Sequence, residues 1–273
     1  MERDINKAIQ YYLSAANQND PDAQFNLGVI YYTGEYITQD INQAIQYFKL
    51  AANQNHPQAQ SILGDIYSSN VYVPRNIDKA IHYFQLAANQ NDRQASFNLG
   101  PIYFSGEYIQ RDMNKAIHYF WLAANQDHIQ AIYNLGRIIF GGEYIKRDIE
   151  LVIFFISFAA NHNHLQAQFN LGEIYSSGVY TAQDINKAIF YYSLAANQNH
   201  VEAQFCLGEI YYRDKYKKFD ITKAIHYYSL AASHDHLQAQ FILGEIYSSG
   251  EYIKRDTEKD SNVKMDLNVI GKF

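Results

Sequence analysis

The sequence predicts an all-α fold, a right-handed superhelical solenoid of antiparallel helix pairs built from seven 36-residue repeats. Leu-Gly pairs and Ala-Ala pairs each recur every 36 residues, and no insertion breaks this phase between residues 4 and 255. A fixed period of this length is typical of repeat architectures. The repeats begin at Asp4, Asp40, Asn76, Asp112, Asp148, Asp184 and Asp220.

Each repeat opens with a predicted amphipathic helix. Asp40 is a typical N-cap residue, and the apolar residues after it recur at spacings of three and four. The helix is predicted to end at Asn55, because asparagine adopts the left-handed conformation of a helix end at modest cost. The equivalent stops are Asn19, Asn91, Asp127, Asn163, Asn199 and Asp235.

A second helix is predicted to follow after this short turn. In the second repeat it begins near Pro57, which is preorganised for a first helical turn. Each of these helices contains a glycine in its interior, which costs about 1 kcal/mol relative to alanine. We therefore expect close packing between helices at these glycines. Further glycines are predicted to end the second helices, at Gly106, Gly142, Gly178 and Gly250.

The stretch from Ala23 to Ala52 carries Ala, Leu-Gly, Tyr, Gly-Glu-Tyr, Asp, Ala-Ile, Tyr and Leu-Ala-Ala in order. This order resembles the Sel-one-like repeat family, a relative of the tetratricopeptide repeats, and the resemblance covers residues 4–255. It implies an α-solenoid that binds other proteins. One departure is the Asn or Asp that ends the first helix, where the family usually has glycine.

Residues 256–273 depart from the repeat. Thr257, Asp260 and Ser261 fall where the repeat has Ile, Ala and Ile. We therefore divide the chain into a solenoid, residues 4–255, and a divergent C-terminal tail, residues 256–273, which we expect to be poorly ordered or poorly docked.

Composition excludes several functional classes. With 22 basic and 28 acidic residues, the net charge of −6 argues against a nucleic-acid-coating protein. Cys206 is alone and cannot form an internal disulfide, which favours a reducing compartment. No stretch reaches the roughly 18 to 20 apolar residues that span a bilayer. Met1 is followed by Glu-Arg-Asp rather than by a signal sequence. We expect a cytoplasmic protein without membrane insertion.

No residue pattern indicates catalysis, a cofactor or a metal. Five of the ten histidines share one repeat position, just before the second helix, which Asp20 and Asp92 occupy in other repeats. This exchange indicates a role in helix entry rather than metal coordination. No nucleophile, base and orienting residue stand out from the repeat. The sequence therefore predicts a protein that is not an enzyme.

One stripe of the second helices is a candidate partner-binding surface. By analogy with tetratricopeptide solenoids it lines the concave side, where amides suit an extended peptide backbone and carboxylates favour basic side chains. The alternative is that these residues are solvated or bond each other between repeats. The stripe residues selected as candidates are Asn26, Asn98, Asn134, Arg137, Asn170, Glu173, Glu202, Glu209 and Glu245.

A second candidate is an apolar interface on the first helices, formed by Trp121, Leu151, Phe154 and Phe190. At the last three positions other repeats mostly have Lys, Gln or His. Contiguous apolar surface usually marks an interface, here with a partner or with a second copy of the chain. Extra packing against neighbouring side chains is the competing explanation.

The sequence thus favours a non-enzymatic scaffold or adaptor that binds a protein or extended peptide, neutral to basic in charge. It predicts no nucleic-acid partner and leaves self-association open. The alternative is a regulatory repeat segment, either of a larger signalling enzyme such as a kinase or of an adaptor in endoplasmic-reticulum-associated degradation.

Overall fold

The computed structural model describes residues 5–213 and 218–249. In these ranges the chain forms fourteen α-helices and no β-strand. Odd-numbered helices are the first helices of the repeats, and even-numbered helices are the second. They are α1 (Ile5–Asn17), α2 (Pro21–Thr33), α3 (Ile41–Asn53), α4 (Pro57–Ser68), α5 (Ile77–Ala88), α6 (Arg93–Ser105), α7 (Met113–Ala124), α8 (Ile129–Gly141), α9 (Ile149–Asn161), α10 (Leu165–Ser177), α11 (Ile185–Ala196), α12 (Val201–Tyr212), α13 (Ile221–Ala232) and α14 (Leu237–Ser249).

The chain divides into two compact units, Met1–Phe155 and Ile156–Phe273. Within each unit, helices that are adjacent in sequence pack against each other. Only three residues separate α3 from α4, and such short connections make neighbouring helices antiparallel. The chain is therefore an all-α solenoid of about seven helix pairs. The expected tail at residues 256–273 and the expected helix end at Gly250 lie outside the described residues.

The predicted ends of the first helices are confirmed. The Asp40 carboxylate accepts a hydrogen bond from the backbone N–H of Gln43 at 3.0 Å. Equivalent Asp or Asn residues cap the later first helices in the same way. Asn55 has a φ of 63°, and all seven predicted Asn or Asp stops have φ between 57° and 65°. Side chains that tolerate the left-handed conformation thus replace glycine at this turn.

Histidine caps five of the second helices. Nδ1 of His56 accepts a hydrogen bond from the backbone N–H of Ala59 at 3.3 Å. The same bond measures 3.1–3.3 Å in the four equivalent repeats. Asp20 and Asp92 cap α2 and α6. The predicted role in helix entry is confirmed, and it requires an unprotonated Nδ1. The five capping histidines are His56, His128, His164, His200 and His236.

Five of these caps also contact the preceding repeat. The rings of Phe25 and His56 stack with centroids 4.4 Å apart. Where the cap is Asp92, the facing residue is Ser61, whose hydroxyl donates to the Asp92 carboxylate at 3.5 Å. The cap and the residue that it contacts lie 31 positions apart in the sequence. Where the cap is aspartate instead of histidine, the contacting residue is serine instead of an aromatic residue. The other stacked pairs are Phe97 with His128, Phe169 with His200 and Phe205 with His236.

The interior glycine of a second helix lies beneath an aromatic ring of the following helix. A Cβ added to Gly64 in α4 would stand 2.4 Å from Cδ1 of Phe84 in α5. The close packing expected at the helix glycines is confirmed at five positions. The pairs are Gly28 with Phe48, Gly64 with Phe84, Gly100 with Phe120, Gly172 with Tyr192, and Gly208 with Tyr228.

A buried glutamine ties successive repeats together. The side-chain amide of Gln60 donates to the Ala52 carbonyl at 3.0 Å. Its carbonyl oxygen accepts from the side-chain amide of Gln90 in the next turn at 2.8 Å. Gln24 and Gln168 make the same two kinds of bond. Both polar ends of the buried amide are satisfied in this arrangement.

Gln204 makes only the first of these two bonds. Its amide donates to the Ala196 carbonyl at 3.3 Å, but its buried Oε1 meets no partner among the described residues. The reason is that residue 234 is histidine rather than glutamine. The His234 ring nitrogen Nδ1 instead lies 3.0 Å from the Leu230 carbonyl oxygen.

Candidate partner-binding surface

The stripe residues reach solvent in both units, beside the buried Leu-Gly pairs. In α10, Asn170 is half-buried and Glu173 is exposed, whereas Leu171 and Gly172 between them are buried. The constant period repeats this arrangement along the second helices. Asn26, Asn98, Asn134 and Glu209 are half-buried, and Arg137, Glu202 and Glu245 are exposed.

Amide side chains four residues apart pair within single second helices. The Gln94 amide donates to the Asn98 side-chain oxygen at 2.9 Å. Gln130 and Asn134 make the same bond at 3.2 Å, and Gln166 and Asn170 make it at 3.0 Å. The structure therefore presents these stripe amides in pairs on successive turns.

One stripe amide also bonds across the repeat boundary. The Asn98 amide donates to the Asp65 carboxyl at 2.9 Å. Desolvation by the surrounding protein, followed by the charge of Asp92, raises the pKa of Asp65 to about 6. The alternative interpretation, that stripe residues bond each other between repeats, is therefore correct for Asn98.

The stripe of the second unit is acidic. Desolvation together with the charge of Glu202 raises the pKa of Glu173. Burial raises the pKa of the nearby Cys206 thiol to about 11, and the charges of Glu173, Glu202 and Glu209 act in the same direction. The thiol is consequently protonated at neutral pH, and its surroundings favour cations over anions.

Two of these carboxylates already have partners in the fold. The Tyr228 hydroxyl donates to Oε1 of Glu209 at 2.7 Å, and the Arg213 guanidinium contacts Oε2. Oε1 of Glu202 lies 3.4 Å from Nε2 of His236. A change at Glu209 would therefore disturb packing as well as charge, so Glu173 and Glu245 are the better positions for testing the stripe.

In the first unit, a cavity of about 320 Å³ opens beside Asn134 and Arg137. The Arg111 guanidinium carbon at its edge lies 5.3 Å from the ring centroids of both Phe104 and Tyr144. Sequence reasoning missed these three residues, because they come from one helix end and two different loops. The available signal was the break in the stripe itself, where Arg137 replaces the more frequent carboxylate.

The members of the predicted apolar interface differ in exposure. Trp121 is 37% exposed and Phe154 is 62% exposed, and both rings contact Phe155 edge-on. Leu151 is half-buried. In the second unit, Phe190 is 56% exposed and packs edge-on against the adjacent Tyr191.

The described ranges contain no group of three His, Cys, Asp or Glu residues placed to hold a metal ion. Two pairs of histidines, His162 with His164 and His234 with His236, lie at helix ends. His164 and His236 are caps, and a ring nitrogen of His162 lies 2.8 Å from the Phe158 carbonyl oxygen. Of the helices described, none is long and apolar enough to cross a membrane.

A stack of helix pairs with solvent-exposed polar and aromatic residues on its helices defines an α-solenoid repeat protein. The profile of the Sel1 repeat matches the chain in eight segments. They are residues 1–20, 21–56, 57–92, 93–128, 129–164, 165–200, 201–236 and 237–259. The chain therefore belongs to the Sel1 repeat family. Sel1 repeat proteins generally mediate protein–protein interactions.

Two solved structures are similar to this chain. The first is c5321, a protective antigen present in uropathogenic Escherichia coli strains, with 27% identity and a TM-score of 0.81. The match covers 89% of this chain and 52% of c5321, so the chain spans about half the length of that protein. The second is a Sel1 repeat protein from Oxalobacter formigenes, with 30% identity, a TM-score of 0.73 and coverage of 88% and 70%. A search of curated proteins gives no significant match.

Proposed function

We propose that this protein is a non-enzymatic scaffold that holds an extended segment of a partner protein along the second-helix stripe. The observation that carries the proposal is the recurrence of paired amides at one repeat position of α6, α8 and α10, where the asparagines are half-buried. A side-chain amide offers a donor and an acceptor, as does each peptide unit of an extended segment. Family membership supports a protein as the ligand.

Charge along the stripe determines the preferred partner. The second unit presents Glu173, Glu202 and Glu245 to solvent, and these carboxylates favour basic side chains of a partner. In the first unit the exposed cation of the stripe is Arg137, beside the cavity. We propose that the partner segment is neutral to basic where it crosses the second unit.

We place this scaffold in the cytoplasm. The free and half-buried Cys206 thiol suits a reducing compartment. Trp121, Leu151 and Phe154 of the first unit are a second candidate contact surface, and Phe190 is a separate candidate in the second unit. The exposure of Trp121, Phe154 and Phe190 supports both candidates.

The test compares binding of three short fluorescent peptides in which glycine alternates with lysine, glutamine or glutamate. The variant Glu173→Lys/Glu245→Lys reverses two exposed charges on the stripe. Its matched control, Asp78→Lys/Glu150→Lys, reverses two exposed charges at the starts of first helices. Exposed ion pairs contribute about 0.2–1 kcal/mol each, so we expect the stripe variant to weaken lysine-peptide binding by about tenfold.

The control should leave binding of the lysine peptide nearly unchanged. Equal loss in both variants would mean that net charge, rather than the stripe, selects the peptide. No preference among the three peptides in the unmodified protein would reject the proposed selection by charge.

A further inference from the structure

The last described second helix exposes a face that earlier second helices bury. In α14, Phe241 is 66% exposed and Tyr247 is 50% exposed. Gly244, which lies between them, has no described atom within 4 Å of an added Cβ. The equivalent glycine of α12 is covered by the Tyr228 ring of α13, which an added Cβ would approach to 2.6 Å. The face of α14 thus has the same residue types as the covered face of α12, but no ring from the described residues lies on its glycine.

The first described helix carries the side chains that would cover such a face. Tyr11 is 75% exposed and Tyr12 is half-buried. They occupy the positions of Tyr227 and Tyr228 in α13, seven and eight residues after the start of the repeat. Lys7 of α1 likewise corresponds to Lys223 of α13.

The internal interface shows how these groups would meet. The rings of Tyr211 and Tyr227 stack with centroids 5.9 Å apart and planes within 6°. The Lys223 ammonium lies 5.1 Å from the centroid of the Tyr211 ring. The same Tyr–Tyr stack recurs at 5.7–5.9 Å between four other second helices and the first helices that follow them. The same interface therefore recurs between repeats. The sequence of α1 has the residues of its first-helix side, and the sequence of α14 has those of its second-helix side.

After α14, the sequence departs from the residues that form the first-helix side of this interface. The fourth residue after the start of the repeat is an alanine in six of the seven repeats, and Ala188 and Ala224 at this position are fully buried. The equivalent residue after α14 is Asp260. At the position of the covering ring the chain has Lys264. An aspartate and a lysine are poor substitutes in an apolar contact, because burying an unpaired charge is costly.

We propose that the 273-residue chain associates head to tail, with α1 of one copy packing on α14 of another as α13 packs on α12. Tyr12 would lie over Gly244, and Tyr11 would stack on Tyr247. Such a contact is heterologous. We propose that it does not close into a ring, so that it leaves a free surface at each end and extends into open chains. The proposal does not depend on the stripe, and its test does not involve peptide binding.

The experiment is sedimentation velocity on the full chain from about 1 μM to several hundred μM. High concentrations are needed because one helix packing on another buries less than the roughly 1,600 Å² of a standard interface, so we expect weak association. We expect the average mass to rise with concentration and to continue past that of a dimer. Tyr11→Lys and Phe241→Lys each block one end at an exposed side chain, and each should weaken association by about tenfold or more. Thermal unfolding of the dilute variants checks that both fold.

The decisive sample is an equimolar mixture of the two variants. Each retains one intact end, so the mixture should form dimers and nothing larger. Leu50→Lys is the matched control, since this apolar side chain is 47% exposed but lies on α3, and it should associate as the unmodified chain does. Phe154→Lys tests the apolar interface as the rival site of association.

A chain that stays monomeric over the whole concentration range overturns the proposal. Association that stops at a dimer overturns it in favour of a symmetric contact. Loss of association in Phe154→Lys, with association retained in the other two variants, would assign the contact to the apolar interface instead. If either end variant fails to fold, Tyr11→Gln and Tyr247→Lys provide the same test.

Discussion

Replacing Gly64 with alanine tests whether the packing of Phe84 on α4 requires a residue without a side chain. The Phe84 ring lies directly on this glycine, and a Cβ would stand 2.4, 2.5 and 2.8 Å from three of its carbons. Carbon atoms in favourable contact are about 3.5–4.0 Å apart. Phe84 is 1% exposed, so the ring is surrounded by protein and has little room to move.

Two opposing effects determine the change in the free energy of unfolding. Alanine in a helix interior is favoured over glycine by about 1 kcal/mol. Overpacking a core commonly costs about 1–3 kcal/mol. We therefore expect Gly64→Ala to range from neutral to about 2 kcal/mol destabilising. Gly244→Ala is the matched control, because its added Cβ meets no described atom within 4 Å. It should stabilise by about 1 kcal/mol.

The assay is urea unfolding followed by circular dichroism, at low micromolar concentration so that association does not contribute. The two alanine variants should differ by about 1–3 kcal/mol, with Gly64→Ala the less stable. A double-mutant cycle with Phe84→Leu should show that the smaller side chain relieves part of the cost. Equal stabilisation by both glycine replacements, or no coupling to Phe84, would refute the close-packing argument.

Three further predictions concern single contacts. His234→Gln should give the buried Oε1 of Gln204 its missing donor and stabilise by about 1 kcal/mol in urea unfolding; His162→Gln, where the repeat offers no equivalent glutamine, should not. Asn55→Ala should destabilise by about 1–2 kcal/mol because its φ is 63°, whereas Asn55→Gly should not. Burial lowers the pKa of His200 below its ordinary value of about 6.5, so the unfolded chain binds the proton more readily. The contribution of this cap should therefore be complete above pH ~6.5 and decline as the pH falls, and His200→Asp should flatten the dependence of the thermal midpoint on pH in that range.

The helix ends could be predicted from sequence because they depend on local backbone chemistry. Asp40 caps a helix through an amide three residues away, and Asn55 ends one through its own φ. Both features recur from repeat to repeat, so the helix ends predicted for one repeat could be predicted for the others as well. The interior glycines were predictable for a related reason, since their cost in a helix implied a compensating contact.

Contacts between repeats could not be predicted in the same way. The bond from Gln90 to Gln60 joins residues 30 positions apart, and nothing in either helix alone indicates it. The contact of Glu202 with Nε2 of His236 and the two contacts of Glu209 depend equally on how neighbouring helices pack. The stripe positions reach solvent, and the structure was needed to show which of their carboxylates already contact other side chains.

Paired departures from the repeat separate structural residues from candidate binding residues. When the cap changes from histidine to Asp92, the facing residue changes from an aromatic ring to Ser61, and the contact is preserved by different chemistry. A position that serves the fold thus varies together with its partner. Arg137 departs from the stripe carboxylates at a site that opens to a cavity, and Glu245 keeps the carboxylate on an exposed surface. Variation at positions that reach solvent changes the surface of the solenoid without altering how its repeats pack. Binding specificity can therefore differ along one solenoid of constant period.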